Sequence, residues 1–204
     1  MYNKNIFVLH NYALLKEFSE CKQPDIEHAN RILYYGRISQ ARGIFQVIKA
    51  LELCHNDMKL ILCRSFAPSS LMEQCKLLPG RDKAMYIEQV DRTKLRQLSQ
   101  KCFCGINYFP PVKAYTTACS TKIFEYAGMY LPIITSGFDL CRKVIGNENK
   151  SFGLFTNPES PREIANFIDK LYENKALARQ LGENGQKAVE TKYNFDSEIK
   201  EYLN

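Results

Sequence analysis

The chain has 204 residues, a formal net charge of +6, 45% hydrophobic residues and 25% charged residues. These proportions exclude a disordered tail and a collagen-like chain, and the length suits one domain, or one domain with an appendage. The eight cysteines are scattered without a Cys-x-x-Cys pair, so we interpret them as buried thiols of a reduced compartment and expect no metal site. The sequence shows no run of roughly 18 apolar residues and no signal peptide, which predicts a soluble, cytoplasmic protein.

The positive charge is concentrated in one part of the chain. Residues 1–150 carry a net charge of +8, whereas residues 151–204 carry −2. A basic region with few aromatic-flanked Lys/Arg runs favours a small anionic ligand or a membrane surface. Because no aromatic stacking platform is visible, we expect no nucleic-acid partner.

Short apolar runs alternate with helical patterns along the chain. Strands are predicted at residues 5–10, 31–35, 59–63, 84–87, 102–109, 131–135 and 151–155. Helices are predicted between them at residues 44–51, 68–78, 91–101, 122–130 and 138–145, and after Pro158 at 164–171, 177–192 and 196–203. A polar loop without secondary structure is predicted between Pro111 and Cys119.

Strands that alternate with helices indicate βα units, which form a parallel sheet covered by helices on both faces. We therefore predict an α/β fold, a Rossmann-like three-layer α/β/α sandwich with a parallel sheet of about six strands and extra C-terminal helices. In such sheets ligands bind outside the carboxyl ends of the strands. The loops that follow strands are consequently the candidate site.

The first candidate loop runs from Gly36 to Gly43 and joins a strand to a helix N-terminus. Arg37 and Arg42 lie beside free backbone N–H groups and the positive end of a helix dipole, where cations are unfavourable unless an anion binds. The loop has neither the G-x-x-x-x-G-K-[ST] nor the G-x-G-x-x-G pattern, which counts against ATP hydrolysis and NAD binding. A pair of solvated arginines is the alternative interpretation.

The second candidate loop precedes another helix. Ser120 or Thr121 is predicted to cap this helix, and Lys122 lies on its first turn. Glu125 follows three residues later and shares the helix face with Lys122. A carboxylate beside a phosphate site can accept two hydrogen bonds from a ribose diol. A Lys–Glu pair on a helix surface is the alternative.

A third candidate is Glu88–Gln89, directly after a strand, where polar groups could border a nucleobase. A plain turn is the alternative. No Ser–His–Asp, Cys–His or paired-carboxylate arrangement is readable in the sequence. The two helix N-termini with basic side chains therefore predict a ligand that carries a diphosphate. We expect neither a metal ion nor another cofactor.

Six stretches resemble a known family in the right order: ILYYGRISQARGIFQVIKAL, MKLILCR, LRQLSQKCFCGINYFPP, STKIFEYAGMYLPIITSG, GLFTNPESPREIANFIDKLYEN and LGENGQKAVETKYNFDSE. They resemble the C-terminal, donor-binding domain of GT-B glycosyltransferases, in the large retaining group called family four or group 1. The fourth stretch is the most specific. On this resemblance, residues 1–30 are the end of an interdomain connection and residues 31–204 are the donor-binding domain.

The resemblance implies roles for individual residues. Arg37 and Arg42 would hold the donor diphosphate and act as catalytic groups by stabilising the charge that develops on it. Lys122 matches a lysine of a polysaccharide-type branch, and Glu125 matches the glutamate that holds the ribose. A second glutamate that is common in the family falls at Thr117, so the paired-glutamate pattern is incomplete.

The function implied by the resemblance is transfer of a sugar from a UDP- or GDP-sugar to an acceptor hydroxyl, in surface polysaccharide or glycoconjugate synthesis. The transfer would be of the retaining, metal-independent type. The family's N-terminal acceptor domain is expected to be absent from this chain, which alone would bind donor without turnover. The complete enzyme is expected in the cytoplasm, with peripheral association at the inner face of the membrane. A GT-B sugar-nucleotide epimerase and a non-catalytic, flavodoxin-like nucleotide-binding module are the alternatives.

Overall fold

The structure, a computed structural model, describes residues 10–146 and 150–203, so the strand predicted at 5–10 falls almost entirely outside the described residues. The strands are β1 (Arg31–Tyr35), β2 (Lys59–Cys63), β3 (Ala84–Ile87), β4 (Cys102–Asn107), β5 (Ile133–Ser136) and β6 (Gly153–Thr156). They form one parallel sheet in the order β3-β2-β1-β4-β5-β6. This is the doubly wound, Rossmann-like order, and it confirms the predicted parallel α/β fold.

Helices connect the strands and follow the last one. They are α1 (Ile44–Glu52), α2 (Leu71–Lys76), α3 (Arg92–Ser99), α4 (Lys113–Thr116), α5 (Thr121–Gly128), α6 (Asp139–Ile145), α7 (Pro161–Glu173), α8 (Lys175–Thr191) and α9 (Phe195–Leu203). Across the described residues, no helix is both long enough and apolar enough to cross a bilayer.

Both faces of the sheet are buried under helices. Ile32 and Tyr34 of β1 pack toward α1, α2 and α7, whereas Leu33 between them packs toward α3, α5 and α6. Strands that are covered on both sides consist of continuous apolar runs, and these runs are what the sequence shows. The arrangement confirms the predicted three-layer α/β/α sandwich.

Four helices among the described residues begin after a residue whose side-chain oxygen accepts a hydrogen bond from a first-turn N–H group. The acceptors are Asp91 for α3, Ser160 for α7, Asn174 for α8 and Asn194 for α9. The cap at Asp91 was predicted from the sequence. It fixes the start of α3, which places the next residue, Arg92, at the carboxyl edge of the sheet.

Several element boundaries differ from the predictions by a few residues, and one short helix was not predicted. Helix α2 begins at Leu71 because the N–H groups of Leu71 and Met72 close turns onto the carbonyls of Pro68 and Ser69 before helical pairing starts. Strand β4 ends at Asn107 because the next bond toward β5 runs from the Phe109 N–H to the Ser136 hydroxyl, at 2.8 Å. The loop predicted to lack secondary structure contains the short helix α4.

The segment before β1 packs along the C-terminal helices. Its Ala13 pairs in parallel with Asn194, between α8 and α9, and its Glu27 accepts a 2.6 Å ion pair from Arg179 of α8. Ile26 and Ala29 are buried in the core between the sheet and the helices. This segment therefore belongs to the same packed body as the sheet.

Candidate functional site

From β1 the chain adds β2 and β3 on one side of the sheet, and then crosses to add β4, β5 and β6 on the other side. This change of side leaves a crevice at the carboxyl ends of β1 and β4. The two strands are neighbours, with Leu33 opposite Gly105. The loops at residues 36–43 and 108–120 follow these strands and begin at the crevice. A doubly wound sheet binds its ligand at such a switch point.

Glycine is required at both ends of the first loop. Gly36 has φ 110° and Gly43 has φ 69°, both in the left-handed region. A Cβ atom at Gly43 would also overlap the ring of Tyr108 on the second loop. The two loops therefore meet at Gly43, directly before α1 begins.

The two arginines of the first loop have no hydrogen-bond or ion-pair partner in the described part of the chain. Arg37 is exposed and Arg42 is half-buried, and neither guanidinium forms an ion pair or hydrogen bond within residues 10–146 and 150–203. Gly43 caps α1 without a side chain, so the N–H groups of its first turn are not occupied by a capping oxygen. Two unpaired cations beside a helix N-terminus form a surface that attracts anions.

Tyr126 holds helix α5 over the crevice. Its hydroxyl accepts a hydrogen bond from the Tyr35 N–H at 2.9 Å and donates to the carbonyl of Ile106 at 3.2 Å, so it bridges the ends of β1 and β4. Its ring lies against Gly105, where a Cβ atom would approach it to 2.7 Å. The N-terminus of α5 is thereby fixed beside the first loop.

Lys122 lies at the centre of the site and is only 8% exposed. Its Nζ lies 5.1 Å from the ring centroid of Tyr34 and 5.3 Å from that of Phe109, and its Cδ would be 3.3 Å from a Cβ atom at Gly36. Its pKa is lowered to about 7, chiefly by burial and additionally by the nearby charge of Arg42, while Glu125 partly opposes the shift.

No hydrogen bond or ion pair reaches the Lys122 ammonium from the part of the chain that the structure describes. The buried hydroxyl of Tyr34 beside it also has no hydrogen-bond partner there. Burial of a charge without a hydrogen-bonded partner is costly, and an anion in the crevice would offset that cost.

Glu125 is 7% exposed and lies one turn after Lys122. Its Oε1 accepts a 2.6 Å charged hydrogen bond from Nη1 of Arg92 at the start of α3. Its Oε2 accepts no hydrogen bond from a described residue. One oxygen of this carboxylate is therefore held by the protein and the other is available to a ligand.

The other predicted site residues lie around this centre. Ser120 and Thr121 are half-buried at the first turn of α5, where the Ser120 side chain does not cap the helix. Thr117 is exposed, and its hydroxyl donates to the carbonyl of Lys113 at 3.2 Å. Glu88–Gln89 is exposed after β3, two strands away from β1 in the sheet. The structure thus brings Arg42, Lys122 and Glu125 together and leaves Thr117 and Glu88–Gln89 at the periphery.

Sequence reasoning missed three residues of the centre. Arg92 is 33 positions from Glu125, and nothing in the sequence indicates that they meet. Tyr34 and Phe109 were predicted only as strand residues, although each lies within two residues of a loop start. Within the described ranges, His, Cys, Asp and Glu side chains form no group of three or more that could hold a metal ion.

The fold and the crevice define a doubly wound, Rossmann-like α/β domain with a basic switch point. A sequence model of the family described as "Glycosyl transferases group 1" matches residues 16–188. The chain therefore belongs to the glycosyl transferases group 1 family, in agreement with the resemblance drawn from its motifs.

Individual relatives agree with this family. An uncharacterised glycosyltransferase of Methanocaldococcus jannaschii is 23% identical over 176 residues, which are 85% of this chain and 43% of that protein. Sucrose-phosphate synthase from Thermosynechococcus elongatus has a TM-score of 0.76 at 20% identity, over 94% of this chain and 49% of its own. Anabaena HepE in complex with UDP-glucose has a TM-score of 0.77 at 16% identity, over 97% and 56%. The chain thus spans about half the length of these proteins.

Proposed function

We propose that this chain is the donor-binding half of a glycosyltransferase that transfers a sugar from a UDP- or GDP-sugar to an acceptor hydroxyl. The observation that carries the proposal is the buried Lys122 ammonium, which has no hydrogen-bond or ion-pair partner among the described residues, at the switch point beside Arg37 and Arg42. A diphosphate would supply the missing anion. The family and the UDP-glucose that occupies HepE make uridine diphosphate (UDP) the first ligand to test.

The proposed chemistry is electrostatic. Cleavage of the bond between sugar and diphosphate builds negative charge on the leaving diphosphate. Arg37, Arg42, Lys122 and the first-turn N–H groups of α1 and α5 would stabilise this charge from fixed positions, and individual groups of this kind typically contribute a few kcal/mol. Basic side chains in this role support a metal-independent transfer. The retaining course is proposed from the resemblance to the retaining group of the family.

The remaining residues would bind the other parts of the donor. Glu125 would accept hydrogen bonds from the ribose hydroxyls, and Glu88–Gln89 would border the nucleobase. Gly36 would allow the diphosphate to approach the backbone, and Thr117 would face the transferred sugar. Ser120 and Thr121 would contribute N–H and hydroxyl groups at the start of α5.

We assign the acceptor to a part of the complete enzyme beyond these 204 residues, because the chain spans about half the length of its relatives. The chain alone would then bind donor without turning it over. A surface polysaccharide or glycoconjugate is the acceptor class that we propose. The net charge of +6 favours contact of the complete enzyme with an anionic membrane surface on the cytoplasmic side.

The test is calorimetric titration of the chain with UDP and with guanosine diphosphate (GDP). Arg37→Ala should weaken binding of the preferred nucleotide by about tenfold or more, since a charged hydrogen bond to phosphate is lost. Arg179→Ala is the matched control, because this arginine lies on α8 and pairs with Glu27 of the segment before β1, away from the crevice. Equal effects of the two substitutions, or a wild-type chain that binds neither nucleotide saturably, would contradict the proposal.

A further inference from the structure

An ion pair between an exposed arginine and a buried carboxylate joins two helices that lie on the same face of the sheet. Glu125 lies in α5, which follows β4, whereas Arg92 begins α3, which follows the edge strand β3. The guanidinium Nη1 and the carboxylate Oε1 are 2.6 Å apart, and the carboxylate is largely shielded from water. A carboxylate in such a place needs hydrogen-bond donors to offset the loss of hydration, and Arg92 supplies one.

The position of Arg92 is itself fixed by further contacts. The Asp91 side chain accepts a 2.6 Å hydrogen bond from the Lys94 N–H and thereby holds the start of α3. Nη2 of Arg92 also lies 3.6 Å from Oε2 of Glu17, in the segment before β1. The guanidinium is thus held between two carboxylates on separate elements, and its orientation toward Glu125 is restricted.

We propose that Arg92 is a positioning residue for Glu125. It binds Oε1, fixes the orientation of the carboxylate, and leaves Oε2 to accept hydrogen bonds from a ribose diol of the donor nucleotide. The inference rests on the proposed function, since it assigns a role within the same site. It adds that ribose recognition depends on an arginine from the β3–α3 connection that never touches the ligand.

Geometry distinguishes this role from direct phosphate binding. Arg37, Arg42 and Lys122 pair with no carboxylate of the residues that the structure describes, so they are available to an anion. The charge of Arg92 is already shared between Glu125 and Glu17. Loss of Arg92 should therefore affect only the contact that Glu125 makes.

The experiment uses two probes that differ only in the ribose hydroxyls, UDP and 2′,3′-dideoxyuridine diphosphate. Their affinities are measured by calorimetry for the wild-type chain, Arg92→Ala, Arg92→Lys and Arg96→Ala. We expect Arg92→Ala to weaken UDP binding by about tenfold, the usual effect of a lost charged hydrogen bond, and to leave dideoxy-UDP binding within about twofold. Arg92→Lys keeps the charge without the planar fork and should recover part of the UDP affinity.

Arg96→Ala is the control on the same helix. Arg96 donates to the Glu17 carbonyl at 3.0 Å and pairs with Glu20 at 3.4 Å, so it ties α3 to the same segment without contact to Glu125. Neither probe should lose affinity in this variant. If Arg92→Ala does not fold by circular dichroism, Arg92→Lys supplies the comparison, with a loss confined to UDP.

Several results would overturn the inference. An equal loss for both probes would mean that Arg92 acts on the diphosphate or on the structure of the site and not through the ribose, and a larger loss for dideoxy-UDP would equally contradict the positioning role. Unchanged UDP affinity in both Arg92 variants would mean that Glu125 needs no positioning. A wild-type chain that binds UDP and GDP but does not discriminate against the dideoxy probe would reject the ribose role alone, whereas binding to neither nucleotide would reject the proposed function itself.

Discussion

At the scale of single residues, Lys122 shows how the site is prepared at the expense of stability. Its pKa of about 7 lies far below that of a solvated lysine because the ammonium is buried and faces Arg42. In the empty protein, the cost of burying this charge is fully present below about pH 7. It declines as the pH rises toward the pKa of the unfolded chain, since the unfolded lysine keeps its proton longer.

Lys122→Met should therefore stabilise the empty chain and abolish nucleotide binding. Methionine fills a similar volume between the rings of Tyr34 and Phe109 and removes the buried charge. We expect the free energy of unfolding to rise by roughly 1–3 kcal/mol near pH 6.5, measured by urea denaturation, while the calorimetric signal for UDP is lost. The exposed Lys101→Met is the control and should change neither quantity. A less stable Lys122→Met variant would mean that the lysine has a partner in the empty protein.

Nucleotide binding should also depend on pH through Lys122. A diphosphate beside the ammonium favours the protonated form, so the complex takes up a proton above about pH 7 and UDP affinity falls by up to about tenfold per pH unit. Calorimetry in two buffers of different ionisation enthalpy, between about pH 7 and pH 9, measures the proton uptake. Lys122→Arg stays charged throughout this range and should bind with a flatter pH profile. Proton uptake that persists in this variant would assign the titration to another group.

How far single residues can be predicted from sequence depends on how far apart along the chain their partners lie. Arg42 and Lys122 were identifiable because each precedes or begins a helix directly after a strand and loop, which is a local pattern. Arg92 was not identifiable, because its contact with Glu125 depends on how α3 and α5 pack on the same face of the sheet. The unpaired state of Lys122 likewise required the burial that only the assembled fold supplies.

At the scale of elements, the sheet was predictable and the second loop was not. Each strand after residue 30 was predicted within two residues of its bounds because both faces are buried and the runs are continuously apolar. Helix α4 was missed because it has four residues, none of them buried, and therefore lacks an apolar stripe. Elements specified by the core can be predicted from periodicity, whereas loops at the site depend on individual contacts.

The contact between Gly43 and Tyr108, where the two loops meet, can be tested by substitution. Gly43→Ala introduces a Cβ atom at φ 69° and into the ring of Tyr108, so the backbone before α1 must shift. We expect the free energy of unfolding, measured by chemical denaturation, to fall by about 1–3 kcal/mol. UDP should also bind more weakly, because Arg42 shifts together with the neighbouring Gly43. Gly146→Ala is the control, because it has φ 93° but no side chain in its way and lies after α6. It should cost stability without affecting UDP. Wild-type UDP affinity in Gly43→Ala would remove this loop from the site.

At the scale of the whole molecule, the contacts that stabilise the outer helices and the residues proposed to bind nucleotide lie at different ends of α5. Lys122 begins this helix at the crevice, whereas its C-terminal half packs against α8 through Ala127 and Gly185. Beyond α8, Asn194 pairs with Ala13 and joins the segment before β1 to the last helix. Interactions that fix the outer layer can therefore be altered without contact to the residues proposed to bind the nucleotide.

Asn194 tests this separation. It is fully buried, donates to the carbonyls of Val189 at 2.7 Å and Glu190 at 3.2 Å, and accepts from the Ser197 N–H at 2.7 Å. Asn194→Ala leaves these backbone groups without a partner and should lower the free energy of unfolding by about 1–3 kcal/mol in urea. UDP affinity of the folded variant should stay at the wild-type value, because no residue proposed to bind nucleotide contacts this position.

The matched control for Asn194→Ala is Asn184→Ala, which removes one hydrogen bond, to the Ser151 carbonyl at 2.9 Å, from a half-buried side chain. Its loss of stability should be smaller, since fewer buried groups are left unpaired. If UDP affinity fell in Asn194→Ala and stability did not, the outer layer would be coupled to the crevice and the separation along α5 would be wrong. If Asn194→Ala lowers the free energy of unfolding and leaves UDP affinity unchanged, the hydrogen bonds of Asn194 and the basic crevice act independently. The former stabilise the fold through buried backbone hydrogen bonds, and the latter would bind nucleotide through unpaired charge.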